Sequence, residues 1–253
     1  MPDDNRLEQE RLLNRRQLLG RAASTAAIMF LSQTPLACAE KAAGNDDDDD
    51  DPIPACVLTA DLTEGPFFFD EKLNRTDIRS DPDSGDISAG TPLNLKFNVL
   101  RIVEGVCTPL TGAYIDVWHC DAEGVYSGVD EGEGRKFLRG YQITDANGVA
   151  QFITVYPGWY QGRAVHIHFK LRLITGQTTT YEFTSQFFFD ELTTSTVYGS
   201  SPYKERGTRD RLNTQDGIYN SLTAAEKAAL TLRTSPNLAS GYDGEIDLVV
   251  QVG

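Results

Sequence analysis

The sequence predicts an all-β protein, an antiparallel β-sandwich with long loops and one or two short helices. Two observations carry that expectation. Apolar and polar residues alternate with period two in one stretch after another from Pro54 onward, and Gly, Asn and Pro turn signals separate those stretches. There is also no repeat at solenoid or propeller spacing. TPLNLKFNVLRIVEG alternates around 93 to 103, as a half-buried strand does. PLTGAYIDVWHCDAEG (109 to 124) follows, with Ala113, Ile115 and Val117 on one face. RKFLRGYQITDANGVAQFITVYPGWY reads as two strands joined in a hairpin at Asp145-Ala-Asn-Gly148. AVHIHFKLRLIT, ended by Gly176, has TYEFTSQFFFD as its expected partner, and EIDLVVQVG closes the chain. One helix is expected in SLTAAEKAAL, where Thr223 and Glu226 form a capping box, and a shorter one near 187 to 194. FFFDE occurs at both 67 to 71 and 187 to 191, which is too short a repeat to carry weight.

The N-terminus has a different composition. Paired Arg15 and Arg16 precede the short apolar run AASTAAIMFL, and Ala37-Cys38-Ala39 fits a cut before Glu40. The paired arginines point to a twin-arginine signal over residues 1–39, and so to export to the periplasm or beyond. A lipid anchor on Cys38 fits less well, because Leu36 sits one place too close to it. The apolar run is half the roughly 20 residues a membrane span needs, so no span is expected. Residues 40–54 hold six consecutive aspartates, Asp46 to Asp51, and read as a disordered acidic linker ahead of a catalytic domain over 55–253.

Net charge is −14, and removing a segment with five arginines and four carboxylates takes it to −15. Such acidity argues against nucleic acid and anionic membranes as partners. Cys56, Cys107 and Cys120 then remain, which in an oxidising compartment suggests one disulfide and one free thiol. The spacing does not say which two pair.

The chemistry centres on GRAVHIHFK, residues 162 to 170, which holds two of only three histidines. Residues i and i+2 of a strand share a face, so His166 and His168 project together while Val165 and Ile167 face the apolar side. Two imidazoles side by side can chelate one metal ion. Tyr160 sits after a Pro157-Gly158 turn, Arg163 lies three residues before His166, and Tyr126 occupies a glycine-flanked loop. Phenolate is a hard anionic donor suited to Fe(III). His119 has no partner in these motifs and reads as structural; Trp118 reads as core.

WHCDAEGVYSG, FLRGYQITDANG, YPGWYQGRAVHIHFK and LTEGPFFFD, in this chain, resemble the intradiol ring-cleavage dioxygenases, most closely their exported branch. The similarity spans 56 to about 190. It implies Fe(III) held by Tyr126, Tyr160, His166 and His168, with Tyr160 the ligand that substrate displaces. It also implies Arg163 beside a bound catecholate, Gln186 supporting that arginine, and a pocket wall at Gly65, Pro66 and Phe67. The implied partners are a catecholic small molecule and O2, and the implied product is a cis,cis-muconate. No segment displays a clamp for a ring carboxylate, so catechol, substituted catechols, hydroxyquinol and protocatechuate all remain open. The competing reading is a non-catalytic exported β-sandwich that binds carbohydrate or an aromatic ligand through residues such as Trp159 and Tyr160.

Overall fold

The computed structural model describes residues 56–252. The expected signal segment 1–39, with Cys38, and the expected linker 40–54 lie outside the described residues. No helix among the described residues is long and apolar enough to cross a membrane.

Two sheets form the sandwich. In the first, the long strand β1 (Pro92–Val103) is central. Along one edge it pairs with β9 (Tyr242–Val250), which continues to β8 (Arg233–Pro236). Its other edge is shared by β5 (Val149–Val155) and β2 (Val106–Pro109). The second sheet runs β4 (Arg139–Ile143), β3 (Tyr114–Trp118), β6 (His166–Thr175), β7 (Thr178–Phe188). Helices are short: α1 (Glu191–Tyr198), α2 (Gly217–Ser221) and α3 (Ala224–Ala229). The Thr223/Glu226 capping box opens α3 as expected.

The all-β antiparallel sandwich is as expected, with one parallel pair, and two local expectations need correction. All pairs are antiparallel except β1 with β9, which is parallel because the last strand returns across the sandwich to lie beside the first. The turn at Asp145–Gly148 closes as a hairpin does, through the Asp145 and Gly148 amides. Yet its two strands enter different sheets, so it is a corner of the sandwich and not a hairpin of one sheet. The helix expected near 187 to 194 starts later, at Glu191, where Asp190 caps the amides of Leu192 and Thr193.

The core lies where the inner faces meet. Phe97 of β1 makes edge contacts with Phe152 of its own sheet and with Phe169 and Phe187 of the other, at ring separations of 5.8 to 5.9 Å. A disulfide joins Cys56 to Cys107 of β2 across 51 residues of chain. Loop closure of that size stabilises a fold by roughly 4 kcal/mol in the chain-entropy picture. Cys120 keeps a free, buried thiol, which burial pushes up to about 12.

His119 bridges the two sheets. It follows β3, and its Nδ1–H donates to the Cys120 carbonyl at 2.7 Å. Its Nε2 then accepts from the Thr154 hydroxyl of β5, also at 2.7 Å. Burial lowers its pKa from 6.5 to about 4. The unfolded chain therefore takes up this proton first. The stabilising contribution is complete above pH 6.5 and disappears toward pH 4, amounting to about 3 kcal/mol. Urea unfolding between pH 7 and pH 4 should show stability falling over that interval, with a shallower fall in His119→Gln. An equal slope in the variant would remove His119 from the balance.

Candidate metal centre

Alternation along β6 decides where the site lies. Ile167, Phe169 and Leu171 enter the core, while His166, His168, Lys170 and Arg172 share the opposite face. That face is covered. The segment 62–72 runs over it, with Phe68 against Trp118 and under the Lys170 ammonium, and Asp70 on Arg172. His166 and His168 are each only 2% exposed.

Strand register brings distant residues beside them. Trp118 of β3 pairs with His168, and Gln186 of β7 pairs with it from the other side. The Trp118 ring stacks on the His168 ring, 5.1 Å apart and 7° from parallel. Trp118 is core, as expected, and it also packs a candidate ligand in place.

Two loops deliver the tyrosines and are bonded to each other. The Gly158 amide donates to the Asp121 carbonyl at 2.9 Å, joining the loop of Tyr160 to the loop of Tyr126. Asp121 braces its own turn by accepting from the amides of Glu123 and Val125. Gly158 has to be glycine, because a Cβ there would collide with the Ala122 carbonyl.

The four candidate ligands converge. Nδ1–H of His166 donates to the Ala164 carbonyl at 2.7 Å, which leaves Nε2 with the lone pair. Three groups crowd that lone pair: His168 Nε2 at 3.0 Å, Tyr160 Oη at 3.2 Å and Arg163 Nη1 at 3.4 Å. Tyr126 packs edge-on to Tyr160 with ring centres 5.7 Å apart, and its buried hydroxyl has no hydrogen-bond partner. His168 Nδ1 is likewise without one. Hydrogen bonds leave this set incomplete, since three groups crowd the one Nε2 lone pair of His166 while the Tyr126 hydroxyl has no partner. A cation would satisfy it by taking both Nε2 lone pairs and both phenol oxygens. Burial drives His166 down to about 3 and His168 well below its ordinary value, so both imidazoles are neutral donors. Burial also raises both phenols, Tyr126 well above its usual range, so each ionises only with a cation in front of it. Among the described residues no three of His, Cys, Asp and Glu converge. The donors that fit here are two imidazoles and two phenols, suited to a hard trivalent ion.

Arg163 is locked in place. Its Nε donates to Asp216 Oδ2 at 2.8 Å and its Nη2 donates to Gln186 Oε1. Gln186 in turn donates to the Thr63 carbonyl at 3.3 Å. Asp216, fully buried, was not foreseen. Its Oδ2 also accepts from the Ala164 amide, and its Oδ1 caps α2 through Ile218 and Tyr219. Burial alone would raise this carboxyl, but the Tyr219 and Ala164 amides and the Arg163 guanidinium hold it below its usual range. The sequence shows only a helix cap there, and nothing local links it to Arg163. Arg139 is a second unforeseen residue. It donates to the Phe67 carbonyl at 2.7 Å and to Ser127 at both carbonyl and hydroxyl, tying the covering segment to the Tyr126 loop.

The covering segment meets the site at two of the three expected points. Gly65, with φ of 72°, lies against His168, and Phe67 packs on Tyr126 with ring centres 4.7 Å apart. Pro66 between them is exposed and outside the cleft lining. The cleft, of about 340 Å3, opens beside Phe67, Tyr126 and Tyr160. Asp216→Ala should cost about 3 kcal/mol in urea unfolding, because it leaves a buried guanidinium unpaired and uncaps α2; a loss below about 1 kcal/mol would show the contact to be dispensable.

A family model described as Dioxygenase matches residues 63–212, more than half of the chain. A solved intradiol ring-cleavage dioxygenase from Tetranychus urticae superposes with a TM-score of 0.66 and 29% identity, over 78% of this chain and 95% of that one. The dioxygenase domain of a dioxygenase carbohydrate-binding protein fusion from Streptomyces sp. SirexAA-E superposes with a TM-score of 0.54 and 26% identity, over 78% and 100%. A chlorocatechol 1,2-dioxygenase of Pseudomonas putida is 33% identical over 81 residues, which are 25% of this chain and 31% of that protein. The chain thus aligns with less than a third of that curated relative's length. Residues 63–212 enclose both histidines, both tyrosines, Arg163 and Gln186, and the chain belongs to the intradiol ring-cleavage dioxygenases.

Proposed function

We propose that the protein is a non-haem Fe(III) dioxygenase that cleaves a catechol between its two hydroxylated carbons, placing both atoms of O2 in a cis,cis-muconate. The observation that carries this is the oversubscribed Nε2 of His166 beside the unpartnered Tyr126 hydroxyl. Tyr126, Tyr160, His166 and His168 would hold the ion. Bound there, Fe(III) supplies the Lewis acidity that lets a catechol ionise and the electron demand that opens its ring to O2.

The chain's own residues divide the remaining work. Tyr160 is half-buried and borders the cleft, so its Oη is placed to take a proton from an incoming catechol hydroxyl. Tyr126 is buried beneath Phe67 and stays in place. Arg163 is a permanent cation aimed at the histidine pair by Asp216 and Gln186, and it stabilises negative charge that builds on the ring. Phe67, Trp118 and the cover over β6 exclude water, which strengthens each of these interactions. We place this activity outside the cytoplasm, on the strength of the Arg15–Arg16 signal.

Visible spectroscopy tests the reading. Iron-loaded protein should be red-brown, shift on adding catechol under nitrogen, and convert the shifted band to muconate absorption when air is admitted. A colourless protein after iron loading would overturn it. Arg163→Ala should keep its iron and colour yet lose roughly a hundredfold or more in kcat; unchanged turnover would remove Arg163 from the chemistry.

A further inference from the structure

The cleft has a charge pattern that the reaction does not call for. Beside its apolar lining of Phe67, Val125 and Val129 stand three acidic side chains, Glu123, Asp130 and Glu131. All three are exposed, and none belongs to an ion pair among the described residues. No lysine, arginine or histidine lines the cleft. Three arginines near the lining residues, Arg206 among them against Gly124, are bonded to other partners. Arg163 is held by Asp216 and Gln186, Arg139 by Phe67 and Ser127, and Arg206 by the Trp159 carbonyl and ring.

The rim is built into the fold. Asp130 and Glu131 lie in a tight 3-10 turn, Asp130–Gly132, where Gly132 donates to Val129 at 2.8 Å and accepts from Gly128 at 2.7 Å. Gly132 lets the turn lie on the Tyr126 backbone, because a Cβ there would collide with the Tyr126 carbonyl. Glu123 is fixed from the other side, its amide donating to Asp121 Oδ1 at 2.9 Å. Both acidic arms therefore belong to the loop that carries a candidate ligand, and they keep a set position relative to it.

We propose that this rim makes the enzyme selective for catechols whose ring substituents are neutral or cationic, and that it disfavours dihydroxybenzoates. This rests on the reading of the cleft as the catechol site. A ring carboxylate entering beside Tyr126 would meet three negative charges and no cationic side chain in the cleft lining. Three like charges around a partly screened cleft weaken binding by about tenfold. An apolar wall with negative edges suits uncharged rings and aminoalkyl catechols.

The test compares three ligands of the iron-loaded protein under nitrogen, by titration calorimetry: catechol, 3,4-dihydroxybenzoate and 3,4-dihydroxybenzamide. The amide matches the benzoate in size without its charge. The expected result is about tenfold weaker binding of the benzoate than of the amide at low salt, with the gap narrowing near about 0.5 M salt. In the combined variant Glu123→Gln, Asp130→Asn, Glu131→Gln the gap should close while catechol affinity is retained. Asn suits position 130, where φ is 44°. Equal binding of benzoate and amide, or an unchanged gap in the variant, would overturn the proposal while leaving the catechol site intact. Absence of binding by all three ligands would instead overturn the catechol reading, and the selectivity with it.

Discussion

Everything in this structure turns on the two-residue alternation of β6. One face of that strand supplies Ile167, Phe169 and Leu171 to the sandwich core, and the other supplies His166, His168, Lys170 and Arg172. A shift of one residue in its pairing with β3 or β7 would exchange the two sets, burying imidazoles in the core and turning phenylalanine outward. The core contacts of Phe169 with Phe97 and Phe187 therefore also hold the metal-site geometry. Packing fixes the register, and register fixes which residues can chelate.

The polar face of β6 raises a second problem, since four consecutive outward residues are charged or polar and none is more than 8% exposed. The segment 62–72 solves it residue by residue. Glu64 reaches Lys170, Phe68 lies under the same ammonium, Asp70 reaches Arg172, and Gly65, with its positive φ, turns the segment against His168. Asp116 completes the set with two 2.8 Å bonds to Arg172. Buried charges are tolerable only when paired, and here every partner comes either from the cover or from a neighbouring strand. The cover is thus held by the same face that carries the ligands, so closing the site and stabilising the fold are one event.

Most of the strands were legible because each half-buried strand writes its own alternation, as β1 and β6 do. The histidine pair was legible for the same reason. What was not legible depends on pairing between distant segments. Asp145–Gly148 has the residues of a hairpin turn, and no local signal shows that β4 and β5 enter different sheets. The short edge strands β2 and β8, of four residues each, are too brief to show a period. Asp216 lies 53 residues from Arg163 and meets it only because α2 starts against the Tyr160 loop. Trp118 is similar: its place on His168 is a matter of β3–β6 register, which the tryptophan itself does not encode.

Four buried polar atoms lack a hydrogen-bond partner among the described residues. Two of them, Tyr126 Oη and His168 Nδ1, belong to the candidate ligand set, and a third, Trp118 Nε1, sits on the ring stacked against it. Each orphaned group costs about 1 to 3 kcal/mol, so a fold selected for stability alone would replace or pair them. Phe in place of Tyr126 would fill the same space beside Phe67 without the unmet hydroxyl. Three of the four lie around the crowded Nε2 of His166, while other buried polar groups such as His119, Gln186 and Asp216 are bonded. An ion held as proposed would satisfy the Tyr126 hydroxyl and relieve the crowded Nε2 of His166, while His168 Nδ1 and Trp118 Nε1 would still lack a partner. That crowding at one lone pair favours the proposed metal centre over two histidines that happen to share a strand.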